Sequence, residues 1–393
     1  MPATWIRPDS RLSCLPNSNS ISGCMIPVNR PLLDGNEKKY LDECIESGWI
    51  SAEGPFVKKL EAGFAQLMGC AYGVAVCNGS VAIEVALAAL QIGAGDEVIL
   101  PTFTIISCAS AIVRAGAIPV VVDCQPDTWN LDPALVAAKI TSRTKAIMVV
   151  HIFGLPADMD SIVELARKHG LFIIEDAAEQ HGQTYKGRPV GSLGDIATVS
   201  FYPNKHITTG EGGMVLTNDK ALADRSRALR NLCFDPERRF IHEELGWNFR
   251  MSNVQAAVGV AQLERIAEIL TKKRAIGRWY NERLKDHPLL QLPVERTAYA
   301  KNIYWVYGIV LDDQVPFDAS GAIARLKVKG VDSRHFFWPM HEQPVLQKRG
   351  LFTNEHCPHA ERIARRGLYL PSGIGLTQDE VDVCAHILRG ILA

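Results

Sequence analysis

Short apolar segments alternate with helix-like segments along most of the chain, and this alternation constrains the fold more than any other feature. The strand-like segments are residues 72–77, 97–100, 118–122, 146–150, 172–174 and 197–201. Helix-like segments lie between several of them, for example at residues 81–90 and 159–169. Strands that alternate with helices are typical of a mostly parallel sheet covered by helices on both faces. The sequence therefore predicts an α/β fold.

The character of the chain changes near residue 265. The chain has 393 residues, a length that permits two domains. A helical segment is predicted at residues 254–270, and the strand-like segments 304–310 and 331–337 beyond it are typical of a smaller α+β unit. We predict a large domain over 25–265 and a small C-terminal domain over 266–393.

The first 24 residues differ from the rest of the chain. They are rich in Ser, Asn, Pro and Arg and have no periodic apolar pattern, so we predict a disordered tail over 1–24, with Met25 as an alternative start. The periodic pattern begins after it, and Asp34 is predicted to cap a helix that ends near Gly48.

Composition narrows the class of protein. The formal net charge of −1 gives no support to a nucleic-acid partner. No apolar run approaches the roughly 20 residues that a membrane-spanning helix needs. The ten cysteines are scattered and form no CxxC pair, which favours reduced cysteines in a cytoplasmic protein over a metal cluster or a disulfide framework.

Polar residues follow three of the predicted strands directly. Asn78, Asp176 and Lys205 each come just after a strand-like segment. Ligands of α/β proteins bind at the carboxyl ends of parallel strands. We therefore expect these three residues to share one site.

Lys205 lies between an apolar strand and a glycine-rich turn, in the segment SFYPNKHITTGEGG. A lysine amine condenses with an aldehyde, and an aspartate such as Asp176 keeps a pyridine nitrogen protonated. Together they predict a pyridoxal-phosphate enzyme with Lys205 as the Schiff-base residue. The alternative for any lysine is a solvated surface position, which this surrounding sequence does not favour.

Asn78, Gly79 and Ser80 open a predicted helix after a strand. Free amides at a helix start and a serine hydroxyl suit a phosphate, and Ser200 is placed to reach the same group. An ordinary helix cap at Asn78 or Ser80 is the alternative.

The remaining candidates have weaker signals. Glu179 follows Asp176 by three residues and either lies where a substrate enters or is a surface residue. Asn248 and Arg250, in a polar and aromatic loop, are candidates for binding a phosphate, but Arg250 is also suited to pairing with a carboxylate. Arg334 and His341 flank a group of aromatic residues that suits either a nucleotide or sugar site or a buried aromatic cluster.

The segments SFYPNKHITTGEGG, IEDAAE, NGSVA and GWNFRMSN together resemble the DegT/StrS family of sugar aminotransferases. The resemblance covers nearly the whole chain from Met25 onward. It implies an aspartate-aminotransferase-type (fold type I) large domain with a mixed, mostly parallel sheet. It also implies a homodimer with shared active sites, acting on glutamate and a nucleotide-linked keto-sugar.

The same resemblance implies roles for individual residues. Lys205 would hold the cofactor and Asp176 would pair with its ring nitrogen. Gly79, Ser80, Val81 and Ser200 would bind its phosphate, with Asn248 reaching in from the neighbouring subunit. Glu179 would lie on the substrate-binding side of the cofactor and contact both. Independently of the resemblance, Arg250, Arg334 and His341 are candidate substrate-binding residues.

Two positions bear on this comparison. Ile105 stands where many relatives place an aromatic residue that stacks on the pyridine ring, so only an aliphatic face is expected there. The dehydratase branch of the family replaces the lysine with histidine, whereas here the lysine is present and His206 only follows it. The sequence therefore favours transamination over dehydration.

Other classes of function remain as alternatives. A sugar dehydratase would share the fold, and a non-catalytic regulatory protein would be expected to have lost Lys205 or Asp176. A nicotinamide enzyme is disfavoured because no GxGxxG follows an early strand. The sugar, its nucleotide and the carbon that gains nitrogen are not specified by the sequence.

Overall fold

The computed structural model describes residues 25–235 and 237–393, and the predicted tail over 1–24 lies outside them. The strands in chain order are β1 (Tyr72–Val76), β2 (Glu97–Pro101), β3 (Ile118–Val122), β4 (Thr144–Val150), β5 (Phe172–Asp176), β6 (Thr184–Tyr185), β7 (Arg188–Pro189), β8 (Ile196–Ser200), β9 (Gly213–Thr217), β10 (Leu290–Gln291), β11 (Tyr307–Leu311), β12 (Arg334–His335) and β13 (Gly367–Leu370).

Helices surround these strands. The α-helices are α1 (Glu37–Ser47), α2 (Pro55–Leu67), α3 (Gly79–Ala89), α4 (Ile106–Arg114), α5 (Pro133–Val136), α6 (Met159–His169), α7 (Lys220–Arg230), α8 (Asn253–Leu263), α9 (Ile266–Leu284), α10 (Ala319–Val328), α11 (Pro344–Gln347), α12 (Pro358–Arg366) and α13 (Gln378–Leu392). Short 3₁₀ turns lie at Ala137–Lys139 and Met340–Glu342. No helix in the described residues combines the length and apolar character needed to cross a membrane.

The large sheet has seven strands in the order β1-β9-β8-β5-β4-β2-β3. Strand β9 runs antiparallel to both of its neighbours, and the other strand pairs are parallel. The predicted α/β fold with a mixed, mostly parallel sheet is therefore confirmed.

Both faces of this sheet are buried, as near-continuous apolar strands require. In β2, Val98 and Leu100 pack into the core on one face, while Ile99 packs into the core on the other. The carboxyl ends of the six strands that run in the same direction lie at one edge of the sheet. At this edge β1 is followed by α3, β5 ends at Asp176 and β8 ends at Ser200.

A second, antiparallel sheet has the strand order β10-β11-β13-β12. Its core contains residues such as Tyr280, Tyr307 and Leu388, and Ile26 near the amino end packs against it. This is the small α+β unit expected from the sequence, and we propose residue 265 as the boundary between the two units.

Two local predictions are wrong. The single helix predicted over 254–270 is two helices, because α8 ends at Leu263 and Arg265 has the non-helical φ and ψ of an N-cap for α9. Asp34 does not cap α1. The N-cap is Asn36, and the Asp34 carboxylate instead pairs with the Arg265 guanidinium.

A buried lysine in α9 generates a prediction about pH. Lys273 is only 3% exposed, and its amine donates to the carbonyl oxygens of Trp305 at 2.7 Å and Ser372 at 2.5 Å. Burial lowers the pKa of Lys273 from 10.5 to about 7. Between pH 10.5 and 7 the Lys273 amine is therefore protonated in the unfolded chain but neutral in the folded protein. As the pH falls through this range, the free energy of unfolding decreases.

Replacement of this lysine by methionine removes that titration. Relative to the native protein, Lys273→Met should gain unfolding free energy as the pH falls through this window, by a total on the order of 5 kcal/mol. Urea unfolding across the window measures the difference, and Lys58→Met, an exposed site, is the control. A difference that stays constant with pH would show that the pKa of Lys273 is the same in the folded and the unfolded protein.

Candidate active site

A cavity of about 680 Å³ opens at the carboxyl edge of the large sheet. It brings together eight of the predicted site residues: Gly79, Ser80, Val81, Ile105, Asp176, Glu179, Ser200 and Lys205. Residues from the small unit, among them Trp305, Phe337 and Tyr369, form another part of its wall. The cavity therefore lies where the two sheets approach each other.

The amine of Lys205 lies inside this cavity. Its side chain is 10% exposed, and Nζ is 3.6 Å from Oε1 of Glu179. The same nitrogen lies 3.7 Å from the centroid of the Trp305 ring. Burial lowers the pKa of Lys205, and the carboxylates of Glu179 and Asp176 partly oppose that shift. A lysine with a lowered pKa has more of the neutral amine that attacks a carbonyl.

Glu179 is buried and faces Lys205. Its Oε2 accepts a hydrogen bond of 2.6 Å from the backbone amide of Phe153. Burial raises the pKa of Glu179 to about 7, although the Lys205 charge and the Phe153 amide oppose that shift. The alternative of a surface residue is wrong, because Glu179 is 6% exposed. Its carboxyl group is able to gain or lose a proton near neutral pH.

Asp176 ends β5, and both of its carboxylate oxygens have donors. Oδ1 accepts from the backbone amide of Ala178 at 3.1 Å, and Oδ2 accepts from the thiol of Cys108 at 3.3 Å. Burial raises the pKa of the Cys108 thiol well above its usual range, and the nearby Asp176 carboxylate adds to the shift, so the thiol stays protonated and donates. Asp176 is thus fixed in orientation at the wall of the cavity.

Glu175, next to Asp176, has a structural role instead. Its carboxylate accepts from the backbone amides of Gly191, Leu193 and Gly194 and contacts Nε2 of His151 at 3.1 Å. Burial alone would raise the pKa of Glu175, but these hydrogen bonds outweigh it and lower the pKa. The charge of Glu175 is satisfied within the protein, away from the chemistry of the cavity.

The start of α3 offers a cradle for an anion. The Asn78 side chain accepts a hydrogen bond of 3.1 Å from the amide of Val81. Asn78 is therefore the N-cap of α3, which confirms the helix-cap alternative for this residue. Within the described residues, the amides of Gly79 and Ser80 have no partner, as expected for the first turn of a helix. A Cβ added to Gly79 would lie 2.7 Å from Cβ of Ser200, so this close approach requires glycine.

Serine hydroxyls complete the cradle. Oγ of Ser80 lies 2.8 Å from Oγ of Ser107, and both residues line the cavity with Ser200. A Cβ added to Gly213, at the start of β9, would lie 2.4 Å from the carbonyl oxygen of Asn78. The glycine-rich turn after Lys205 therefore allows β9 to pack against the cradle. Amides, hydroxyls and a helix start together suit a phosphate.

The other four predicted residues do not line this cavity. Asn248 forms a β-bridge with Asn231, whose side chain accepts from Nη1 of Arg250 at 2.7 Å. This bond is to an amide and not to the carboxylate considered for Arg250. The phosphate-binding and substrate-binding roles of Asn248 and Arg250 stay predictions.

Arg334 and His341 have different surroundings. Arg334 pairs across β12 and β13 with Tyr369, which lines the cavity, and its guanidinium contacts Asp332 at 2.5 Å. His341 is buried, with Nδ1 2.7 Å from Oγ1 of Thr102 and Nε2 3.0 Å from Oε1 of Glu361. Their substrate-binding roles stay predictions, and the structure places only Arg334 beside a cavity residue.

The aromatic residues between Arg334 and His341 differ in their surroundings. Phe336 is buried against Phe103, Trp129 and Phe153, which confirms the aromatic-cluster alternative for this residue. Phe337 packs against Phe103 and Phe153 of the same cluster and also lines the cavity, whereas Trp338 is 44% exposed. One short segment therefore contributes both to the core and to the site.

Sequence reasoning missed several residues of the cavity wall. They are Ser107, Trp305 and Tyr369, and sequence reasoning also missed the buried Cys108, which donates to the cavity residue Asp176. Ser107 and Cys108 follow PTFTI at the start of α4, a position after a strand that signals a site. Trp305 lies 100 positions from Lys205, and no local pattern connects the two.

Comparison with known proteins gives a consistent result. Residues 31–389 match the sequence model of the DegT/DnrJ/EryC1/StrS aminotransferase family. GDP-perosamine synthase of Caulobacter vibrioides is 43% identical over 367 residues, which cover 93% of this chain and 98% of that protein. The GDP-perosamine synthase of Vibrio cholerae is 39% identical, over 92% of this chain and 97% of that protein.

A solved structure shows the same fold. The aminotransferase TlmJ from Streptoalloteichus hindustanus superposes with a TM-score of 0.87 at 32% identity, covering 94% of this chain and 99% of that chain. The fold is thus the type I fold of pyridoxal-phosphate-dependent sugar aminotransferases. With the family model matched over most of its length, the chain belongs to the DegT/DnrJ/EryC1/StrS aminotransferase family.

Proposed function

We propose that this protein transfers an amino group from glutamate to GDP-4-keto-6-deoxymannose, with pyridoxal phosphate bound through Lys205. The substrate proposal is supported by the similarity to GDP-perosamine synthases over more than nine-tenths of the chain. The observation that carries the chemistry is the buried Lys205 amine in one cavity with Asp176 and an anion cradle. The family match is to aminotransferases, and the similar proteins described above include no dehydratase, so dehydration is not proposed.

The residues of the cavity fit pyridoxal phosphate by the chemistry of their groups. A carbonyl-reactive amine, a fixed carboxylate and a set of amide and hydroxyl donors match the aldehyde, the ring nitrogen and the phosphate, respectively. When bound, the cofactor supplies an aldehyde and an electron-withdrawing ring. Ile105, 43% exposed at the cavity, offers an aliphatic face beside it.

Lys205 moves the protons in this mechanism. Once displaced by the amino group of glutamate, its neutral amine removes the proton from the α-carbon of glutamate. Its ammonium would then pass that proton to the carbon that carried the cofactor's aldehyde. In the second half of the reaction Lys205 would take a proton from the same carbon and give it to the sugar carbon that gains nitrogen. The adjacent Glu179 carboxylate, at 3.6 Å, stabilises the ammonium that forms within each half of the reaction.

Asp176 acts by electrostatics. The Ala178 amide and the Cys108 thiol hold its carboxylate in orientation, and this carboxylate would pair with the ring nitrogen of the bound cofactor and keep it protonated. This is a preorganised charge, which costs no reorganisation during the reaction. The buried apolar wall around Lys205 excludes water from the same region.

A second copy of the chain completes the site in this proposal. Asn248 lies outside its own cavity, in a loop that also carries the exposed residues Phe240, Ile241 and Leu245. We propose that Asn248 reaches the phosphate in the partner's cavity and that the nucleotide-sugar contacts Arg250, Arg334 and His341. The reaction would take place in the cytoplasm, and every cysteine in the described residues is free, as that compartment favours.

Product analysis tests the activity. Protein, pyridoxal phosphate, glutamate and GDP-4-keto-6-deoxymannose should yield 2-oxoglutarate and a GDP-sugar whose ketone has become an amine, measured by mass spectrometry. Lys205→Ala should abolish both products because no amine remains to hold the cofactor or move the proton, while exposed Lys58→Ala should not. A product that has lost oxygen without gaining nitrogen, or full turnover by Lys205→Ala, would refute the proposal.

Replacement of Asp176 by asparagine tests the electrostatic role. Asp176→Asn keeps the shape but removes the charge, so single-turnover rates with glutamate should fall about 10²-fold or more. Stopped-flow absorbance of the cofactor band measures the rate, with exposed Asp160→Asn as the control. A rate within a few-fold of the native protein would exclude Asp176 as the partner of the ring nitrogen.

A further inference from the structure

The Lys205 amine lies between two groups from different parts of the chain. Oε1 of Glu179 is 3.6 Å from Nζ, and the centroid of the Trp305 ring is 3.7 Å from it. Trp305 is 5% exposed and lines the cavity. A lysine this close to the ring of a tryptophan makes a cation–π contact when it is protonated.

The Trp305 ring is fixed at this position. Its indole Nε1 donates to the carbonyl oxygen of Asn204 at 2.8 Å, in the residue before Lys205. The Trp305 backbone amide donates to the carbonyl of Phe153 at 3.1 Å. Its carbonyl accepts from the buried amine of Lys273 at 2.7 Å, and the ring stacks at 14° on Phe337. The backbone contacts fix the position of the residue, and the ring cannot leave the lysine without breaking the Nε1–Asn204 hydrogen bond and the stacking on Phe337.

We propose that Trp305 is a positioning residue that holds the ammonium form of Lys205 while this lysine is free of the cofactor. The proposal rests on the proposed function, in which Lys205 is released in each half of the reaction and carries a proton between carbon atoms. The face of the indole ring and the Glu179 carboxylate together bind the ammonium group. The hydrogen bond from the indole to the Asn204 carbonyl holds the ring next to the backbone of Lys205.

A cation–π contact distinguishes the two protonation states of an amine. An ammonium is attracted to the electron-rich ring face, whereas a neutral amine gains little. Trp305 therefore favours the step in which Lys205 accepts a proton. The usual strength of such a contact in a desolvated site corresponds to a factor of about 2 to 30 in that equilibrium.

Other titratable groups also act on this amine, and the effect of Trp305 must be separable from theirs. The groups that face or influence Lys205 are Glu179, Asp176, Cys108, His181 and His206. Both histidines are buried, and burial lowers the pKa of each. The indole has no proton that titrates near neutral pH. Removal of the indole should consequently shift the titration of Lys205 without adding or removing any other titratable group.

Competitive acetylation of the cofactor-free protein measures this shift. Acetic anhydride reacts with neutral amines, so peptide mass spectrometry across neutral to alkaline pH gives the midpoint at which Lys205 becomes reactive. In Trp305→Leu, which keeps an apolar wall but removes the ring, the midpoint should fall by about 0.4 to 1.5 pH units. In Trp305→Phe it should fall by less, because a phenyl ring binds a cation more weakly.

Trp279→Leu is the matched control. Lys272 lies 4.9 Å from the Trp279 ring, a second lysine–tryptophan contact, on α9 and outside the cavity. This substitution should leave the Lys205 midpoint unchanged. An unchanged or raised midpoint in Trp305→Leu would overturn the proposal. If Trp305→Leu does not fold, the direction of the shift in Trp305→Phe decides.

The same proteins separate this inference from the proposed function. The acetylation needs no cofactor, so its result stands whether or not the native protein binds pyridoxal phosphate. If the native protein binds and the inference holds, the glutamate half-reaction of Trp305→Leu should slow about 2- to 30-fold. Failure of the native protein to take up the cofactor would refute the function and leave the acetylation result intact.

Discussion

The burial of one amine at the carboxyl edge of a parallel sheet is the constraint on which the rest of the site depends. Lys205 is removed from water, which favours its neutral form, yet it lies beside the carboxylates of Glu179 and Asp176, which favour its charged form. The net effect is a lowered pKa, so more of the Lys205 amine is neutral than in an exposed lysine. Such an amine is what proton transfer between carbon atoms requires.

The sheet produces this arrangement by simple geometry. Parallel strands bring Asp176 and Ser200 to the same edge, since each is the last residue of its strand. The antiparallel strand β9 returns along the same sheet, so its first residue, Gly213, packs against the start of α3. A glycine is needed there because any larger residue would meet the Asn78 carbonyl. The anion cradle and the reactive amine thus have one structural origin.

The part of the site that follows strands could be predicted from the sequence. Short apolar runs and helical patterns place Asp176, Lys205 and Gly79 near the ends of strands, and the topology of a parallel sheet then brings them together. The local chemistry of each residue was sufficient for this, because no long-range contact had to be known. The same holds for the α/β fold itself.

The wall formed by the small unit could not be predicted in this way. Trp305 and Tyr369 reach the cavity only because the second sheet packs beside the first, and no local pattern encodes that packing. The break between α8 and α9 at Arg265 was not predicted either, and neither was the contact of Arg265 with Asp34, 231 positions away. Residues that reach the site through contacts between distant segments can be identified only from the three-dimensional structure.

Borohydride reduction of the protein loaded with pyridoxal phosphate, followed by peptide mapping, is the most direct measurement of the central claim. Reduction makes the link between the cofactor and its lysine permanent, so the mass of each peptide reports the attachment site. The account predicts a pyridoxyl group on the peptide that contains Lys205 and on no other. Attachment at another lysine, such as the buried Lys273, or no attachment at all, would contradict it.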